Sequence, residues 1–131
     1  MATNTEIVID LLEAMNTPGR VDDFLDALAS DATWTIPGNW PRISGVLTRP
    51  DLDTFARIIM PAGFPGGADL TFHHVGEAGE TVFAELTVTA RTSKDRAYEN
   101  HYCFVVDVRD GKIAAIREYM DTLYADEVLH Q

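Results

Sequence analysis

Apolar residues recur at helical spacing through the first part of the chain and at strand spacing through the last half. Ile7, Val8, Leu11, Leu12 and Met15 fall on one stripe, the period of an amphipathic helix. Thr3-Asn4-Thr5-Glu6 ahead of it has the spacing of a capping box, and Asn16-Thr17-Pro18-Gly19 ends it. Val21, Phe24, Leu25 and Leu28 predict a second, shorter helix that stops at Ser30-Asp31. Asp22 and Asp23 lie in its first turn, where the helix dipole favours negative charge. Ala32 to Ile36 alternate as a short strand closed by Pro37-Gly38, and a loop is expected from Asn39 to Leu47. Thr48-Arg49-Pro50-Asp51 starts a third helix with Leu52, Phe55, Ile58 and Ile59 facing inward. Proline is tolerated in that first turn because its missing N–H had no helical partner. Met60 to Gly67 holds two prolines and three glycines, so it is expected to be irregular and to border a pocket opening.

From Ala68 onward the period falls to two. Strands are predicted over Leu70 to Val75, Thr81 to Arg91, Ala97 to Val108 and Lys112 to Met120, with turns at Gly76 to Gly79 and Thr92 to Arg96. The last two strands flank Arg109-Asp110-Gly111-Lys112, whose Asp-Gly pair suits the positive φ of a tight hairpin. Helices first and an antiparallel meander afterwards predict one α+β domain over residues 1–131. Val82, Ala84, Leu86, Val88, Cys103 and Val105 read as a second apolar sheet face, opposite Tyr102, Phe104 and Val106. Three helices cover one face only, so a second copy is expected over the other, giving a homodimer.

Charge narrows the partners. The 21 acidic and 10 basic residues give a net charge of −11, which repels nucleic-acid phosphates and anionic lipid. The N-terminus lacks the basic start of a secretory leader, and no apolar run approaches the roughly 18 residues of a membrane span. A soluble, cytoplasmic protein is expected. Cys103, the single cysteine, reads as a small buried hydrophobe. His73 and His74 are adjacent on a strand, so only one is expected to face a pocket. With His101 and His130 they form no metal-ligand spacing. Neither a metal nor a cofactor is expected, since phosphate-loop, dinucleotide and nucleophile-elbow motifs are missing.

The remaining chemistry lies in the hairpin. Parity places Glu118 on the strand face of Ile116 and Met120, Asn100 with Tyr102 and Phe104, and Glu85 with Thr87 and Thr89. A carboxylate among apolar side chains loses hydration, which raises its pKa toward the range of a general base at neutral pH. A structural alternative pairs Glu118 with Arg91 or Arg96. Asp121 reads as a cap or turn residue, Trp34 and Tyr102 as core residues or stacking platforms, and Trp40 as an exposed side chain at a pocket mouth.

The helix, helix, Asp31-Ala32-x-Trp34 strand, third helix and long hairpin ending Gly111-Lys112-Ile113 to Asp121-Thr122 resemble the SnoaL-like branch of the nuclear transport factor two-like superfamily. The resemblance implies a cone-shaped α+β fold, three N-terminal helices packed on a curved antiparallel sheet around an apolar pocket, usually in a homodimer. It also points the Glu85, Asn100 and Glu118 sets at the cavity. The family includes polyketide cyclases, ketosteroid isomerase and limonene epoxide hydrolase. At the position of the isomerase's catalytic aspartate this chain has Ile36, and its helix one lacks the isomerase's oxyanion tyrosine. Against the epoxide hydrolase, Trp34, Ile36, Glu85 and Thr87 replace the polar set, and only the acid at Glu118 survives. The expectation is a cofactor-free enzyme for isomerisation, cyclisation or hydration of a small apolar or aromatic ligand. Glu118 is its catalytic residue, and Trp34, Trp40, Glu85, Asn100 and Tyr102 bind substrate. The alternative is a ligand-binding or dimeric assembly protein without chemistry.

Overall fold

The computed structural model describes residues 1–41 and 43–130. Arg42, within the expected loop, and Gln131, at the end of the expected domain, lie outside the described residues. Helix α1 (Asn4–Met15) is capped as its sequence predicts, Thr3 Oγ1 accepting from Glu6 N at 3.1 Å while Glu6 Oε1 accepts from Thr3 N at 3.2 Å. Such a cap is worth about 1 kcal/mol. Its Val8, Leu11 and Leu12 are buried. Helix α2 (Val21–Asp26) buries Phe24 and Leu25. It ends earlier than its apolar spacing predicts, because Leu28 already belongs to strand β1 (Leu28–Ile36).

Strand β2 (Gly45–Leu47) occupies part of the expected loop and pairs antiparallel with β1. Helix α3 (Arg49–Thr54) carries a second capping box, Thr48 with Asp51. The chain then stays helical through a wide π-turn (Phe55–Ile59) into α4 (Met60–Gly63). The expected irregular stretch therefore shortens to the residues from Phe64 to Gly67. The wide turn is the reason: Met60 N bonds back to Phe55 O, and Pro61 falls in the first turn of α4, where no N–H is required.

Strands β3 (Ala68–Ala78), β4 (Thr81–Arg91), β5 (Ala97–Arg109) and β6 (Lys112–Met120) form the meander. At the β5–β6 turn Asp110 and Gly111 both have positive φ, +52° and +76°, the geometry that matches strand twist in a two-residue hairpin. The six strands run in the order β2-β1-β6-β5-β4-β3, a curved, open sheet. One pairing is parallel: β1 lies beside β6, Trp34 opposite Ile116. The meander is antiparallel as expected, and this one crossover makes the whole sheet mixed.

Side-chain parity corrects the reading of the two faces. Val82 pairs with Val106, Ala84 with Phe104 and Leu86 with Tyr102, so these residues share the face that carries the helices, and all but half-buried Tyr102 are buried. The outer face keeps a smaller apolar set: Phe83 and Tyr119 (41% and 46% exposed) with half-buried Cys103 and Val105. A bulge in β3 between Phe72 and His74 places two residues opposite one. Both histidines therefore reach the outer face, His73 bonding Thr87 Oγ1 at 2.8 Å and His74 bonding Glu85 Oε1 at 2.9 Å. Neither faces the interior.

A further helix, α5 (Thr122–His130), follows the last strand. Asp121 caps it, its carboxylate accepting from Tyr124 N at 3.1 Å. Arg96 donates to the carbonyls of Glu127 and Val128 at its far end, where cations complement the helix dipole. No described helix is long and apolar enough to cross a membrane.

Candidate active site

Between the inner sheet face, α1, the α3–α4 segment and α5 lies a cavity of about 200 Å³. Phe104, Leu86, Val88, Ile36 and Met120 supply apolar wall, and Glu118 enters it from β6. Phe104 stands opposite Glu118 in the β5–β6 register and Tyr102 opposite Met120, which makes Tyr102 and Glu118 diagonal neighbours on one face. Glu118 is 7% exposed. Burial raises its pKa to about 8, and a hydrogen bond from the Trp34 side chain pulls the other way. Arg91 is engaged by Asp95, and Arg96 reaches the carbonyls of α5. Among the described residues no arginine is shown paired with Glu118.

The tyrosines form a directed chain. Asn100 Oδ1 accepts from His101 N at 2.9 Å, which orients its amide. Asn100 Nδ2 then donates to Tyr98 Oη at 2.9 Å and to Asp121 O at 3.0 Å. Tyr98 and Tyr102 hydroxyls are 2.6 Å apart. Tyr98 is fully buried, and either hydroxyl of the pair can be the donor. With Tyr98 as donor, the Tyr102 O–H is free to point into the cavity. Burial raises the pKa of both phenols, Tyr102 the more strongly, and the nearby Glu118 charge adds to each. Both remain protonated donors at neutral pH.

The other expected residues divide. Trp34 lies beneath the cavity, packed against Phe24 and edge-on to Phe104. Trp40 lines the cavity but is buried rather than exposed: its indole N–H donates to Asp126 Oδ1 at 2.7 Å, and its ring meets His130 at 5.7 Å. Glu85 is on the opposite side of the sheet, exposed, with His74 holding its pKa below the usual carboxylate value. Glu85 shares a strand face with Thr87, as parity predicts, but that face is the outer one. Tyr98 was recoverable, standing two residues before Asn100 in the same alternation. The contributions of Ala125, Leu129 and His130 come with α5.

Among known families, the SnoaL-like domain matches residues 8–116. The chain belongs to this family. No protein of curated function is detectably similar in sequence. Among solved structures, an NTF2-like protein of unknown function from Burkholderia pseudomallei K96243 superposes with a TM-score of 0.85 at 20% identity over 100% of both chains. An NTF2-like protein from Burkholderia xenovorans LB400 gives 0.74 at 27% identity, covering 97% of this chain and 95% of the other. TerC, co-crystallised with polyporic acid, gives 0.81 at 18% identity over 98% of each chain. This SnoaL-like chain thus has the NTF2-like α+β fold, with four helical segments against the sheet if α3, the π-turn and α4 count as one.

Proposed function

We propose that this SnoaL-like protein is a cofactor-free acid/base enzyme that moves a proton at a carbon beside the carbonyl of a small apolar ligand. That step underlies isomerisation and cyclisation alike. The observation that carries the reading is Glu118, a carboxyl buried in an apolar cavity with no compensating cation among the described residues. In this role its carboxylate takes the proton from carbon. The C–H electron pair moves to the carbonyl oxygen, and the Tyr102 hydroxyl, held by Asn100 through Tyr98, donates to the enolate that forms. The protonated Glu118 then returns the proton. A base with a pKa of about 8 is far stronger than an ordinary carboxylate, and roughly one molecule in ten is ionised at pH 7. TerC, which shares this fold, was co-crystallised with polyporic acid, which supports an organic ligand.

The test needs no natural substrate. Exchange of the α-protons of 2-tetralone in D₂O, followed by NMR, should be accelerated by the protein. It should rise with pH to a plateau above about 8, and fall by a factor of roughly 10² or more in Glu118→Gln. Exchange no faster than in buffer would leave a binding protein without chemistry.

A homodimer is part of the same proposal. Phe83 and Tyr119 are large apolar side chains left exposed on the outer sheet face, and a second copy packed there would cover them. Sedimentation at micromolar concentration should give twice the mass of 14.5 kDa. A monomer would refute it.

A further inference from the structure

Two voids lie back to back. The inner cavity of about 200 Å³ is smaller than the roughly 300–1,000 Å³ usual for small-molecule sites. Outside it, between the α1–α2 loop and the α4 segment, is a cleft of about 300 Å³. Met15, Asn16, Met60 and Phe64 line both spaces, so one layer of side chains separates them. We propose that the cleft is the outer half of the ligand site. The bound molecule is then elongated and neutral, its oxygenated end at Glu118 and Tyr102 and its apolar remainder passing Phe64 into the cleft. This rests on reading the inner cavity as a ligand site.

The wall is built to give way on one side only. Met15 and Met60 are unbranched thioethers that repack readily. Phe64 follows the end of α4 on non-helical backbone, φ −130° and ψ 78°, and leans edge-on against Tyr98 at 5.3 Å. The opposite rim is fixed. Ala68 N donates to Asn16 O at 2.9 Å, and Gly67, at φ +73°, is packed so closely that a Cβ there would stand 2.3 Å from Asn16 O and 2.7 Å from Pro18 Cδ. Charge sets the ligand class. Arg57, the one cation among the described residues that line the cleft, is held by Asp22 at 2.9 Å and Asp53 at 3.2 Å, and the chain carries −11 overall. An anionic tail finds no partner there, whereas a neutral apolar one removes its surface from water.

Calorimetric titration with the alkyl phenyl ketones from acetophenone to octanophenone tests this. In the unmodified protein the affinity should climb about three- to fourfold per methylene along the series. Val21→Trp and Pro65→Trp each fill the cleft from residues that do not touch the inner cavity. They should leave acetophenone binding unchanged and flatten the gain for the longer chains. The proposal is overturned if the unmodified protein levels off as early as the variants, or if both variants keep the full gain, since the tail then lies elsewhere. Acetophenone failing to bind at all would sink the reading of the inner cavity itself, and the two-part site with it.

Discussion

Raising the pH from 5 to 8 is expected to cost the folded chain about 3.5 kcal/mol, and Glu118→Gln is expected to erase that loss. The folded pKa of Glu118, about 8, lies above its ordinary value of 4.5. The folded state therefore holds a proton that the unfolded chain releases. Stability from this group is complete below about pH 4.5 and disappears as the pH rises through 8, at up to about 1.4 kcal/mol per unit. Against a total of roughly 5–15 kcal/mol for a domain, that slope dominates the alkaline limb. The acid limb has the opposite sign. Asp31, Asp51 and Asp107 are held below their ordinary value by Arg109, Thr48 and Arg117 respectively, so their contribution is lost as the pH falls. Urea unfolding at intervals of half a pH unit should show maximum stability near pH 5 for the wild type. Glutamine keeps the size and cannot ionise, so its profile should be flat from 5 to 8. A slope that survives in the variant would assign the proton to another group.

Removing α5 by ending the chain after Asp121 is expected to lower the Glu118 pKa from about 8 toward the ordinary carboxylate value. Burial is the first cause of its elevation, and α5 closes the cavity with Ala125, Leu129 and His130. Without them water reaches the carboxyl, and ionisation no longer strands a charge in apolar surroundings. Trp40 also loses Asp126 and His130, so the thermal midpoint should fall as well. Carbon-detected NMR titration of the Glu118 carboxyl reads the shift, with near-ultraviolet circular dichroism confirming that the shortened chain is folded. A pKa that stays near 8 would show that the sheet, α1 and the α3–α4 segment exclude water without α5.

What could be read without coordinates follows the range of the forces involved. The Thr3–Glu6 capping box, the Asp110-Gly111 turn and the alternation of β4 to β6 are local, each set by neighbours within a few residues, and all appear where the pattern places them, whereas β3 runs through the turn expected at Gly76 to Gly79 as far as Ala78. The place of Glu118 in the cavity was legible because strand parity and the family resemblance converge on it. The face assigned to Glu85 was not, because alternation says which residues share a face and is silent on which face meets the helices. His73 and His74 escaped for a related reason: one bulge resets the parity, and a bulge is a property of two strands. The π-turn hid behind Pro61, whose usual effect on a helix it cancels. α5 left a usable signal, Asp121 at a cap with Ala125, Val128 and Leu129 at helical spacing, but its role as the floor of the cavity depends on contacts with Trp40 and Arg96 from distant segments.

The parallel pairing of β1 with β6 has a consequence for synthesis. Trp34 and its partner Ile116 are about 80 residues apart, and β6 is the last strand to leave the ribosome. At roughly 5–20 residues per second, the apolar inner edge of β1 waits several seconds for the neighbour that completes it. During that interval α1, α2 and β1 have no finished core to join, and slow translation or an early stop before Met120 leaves them exposed together. The nascent chain is therefore expected to expose the most unpaired apolar surface while its middle strands are still being made.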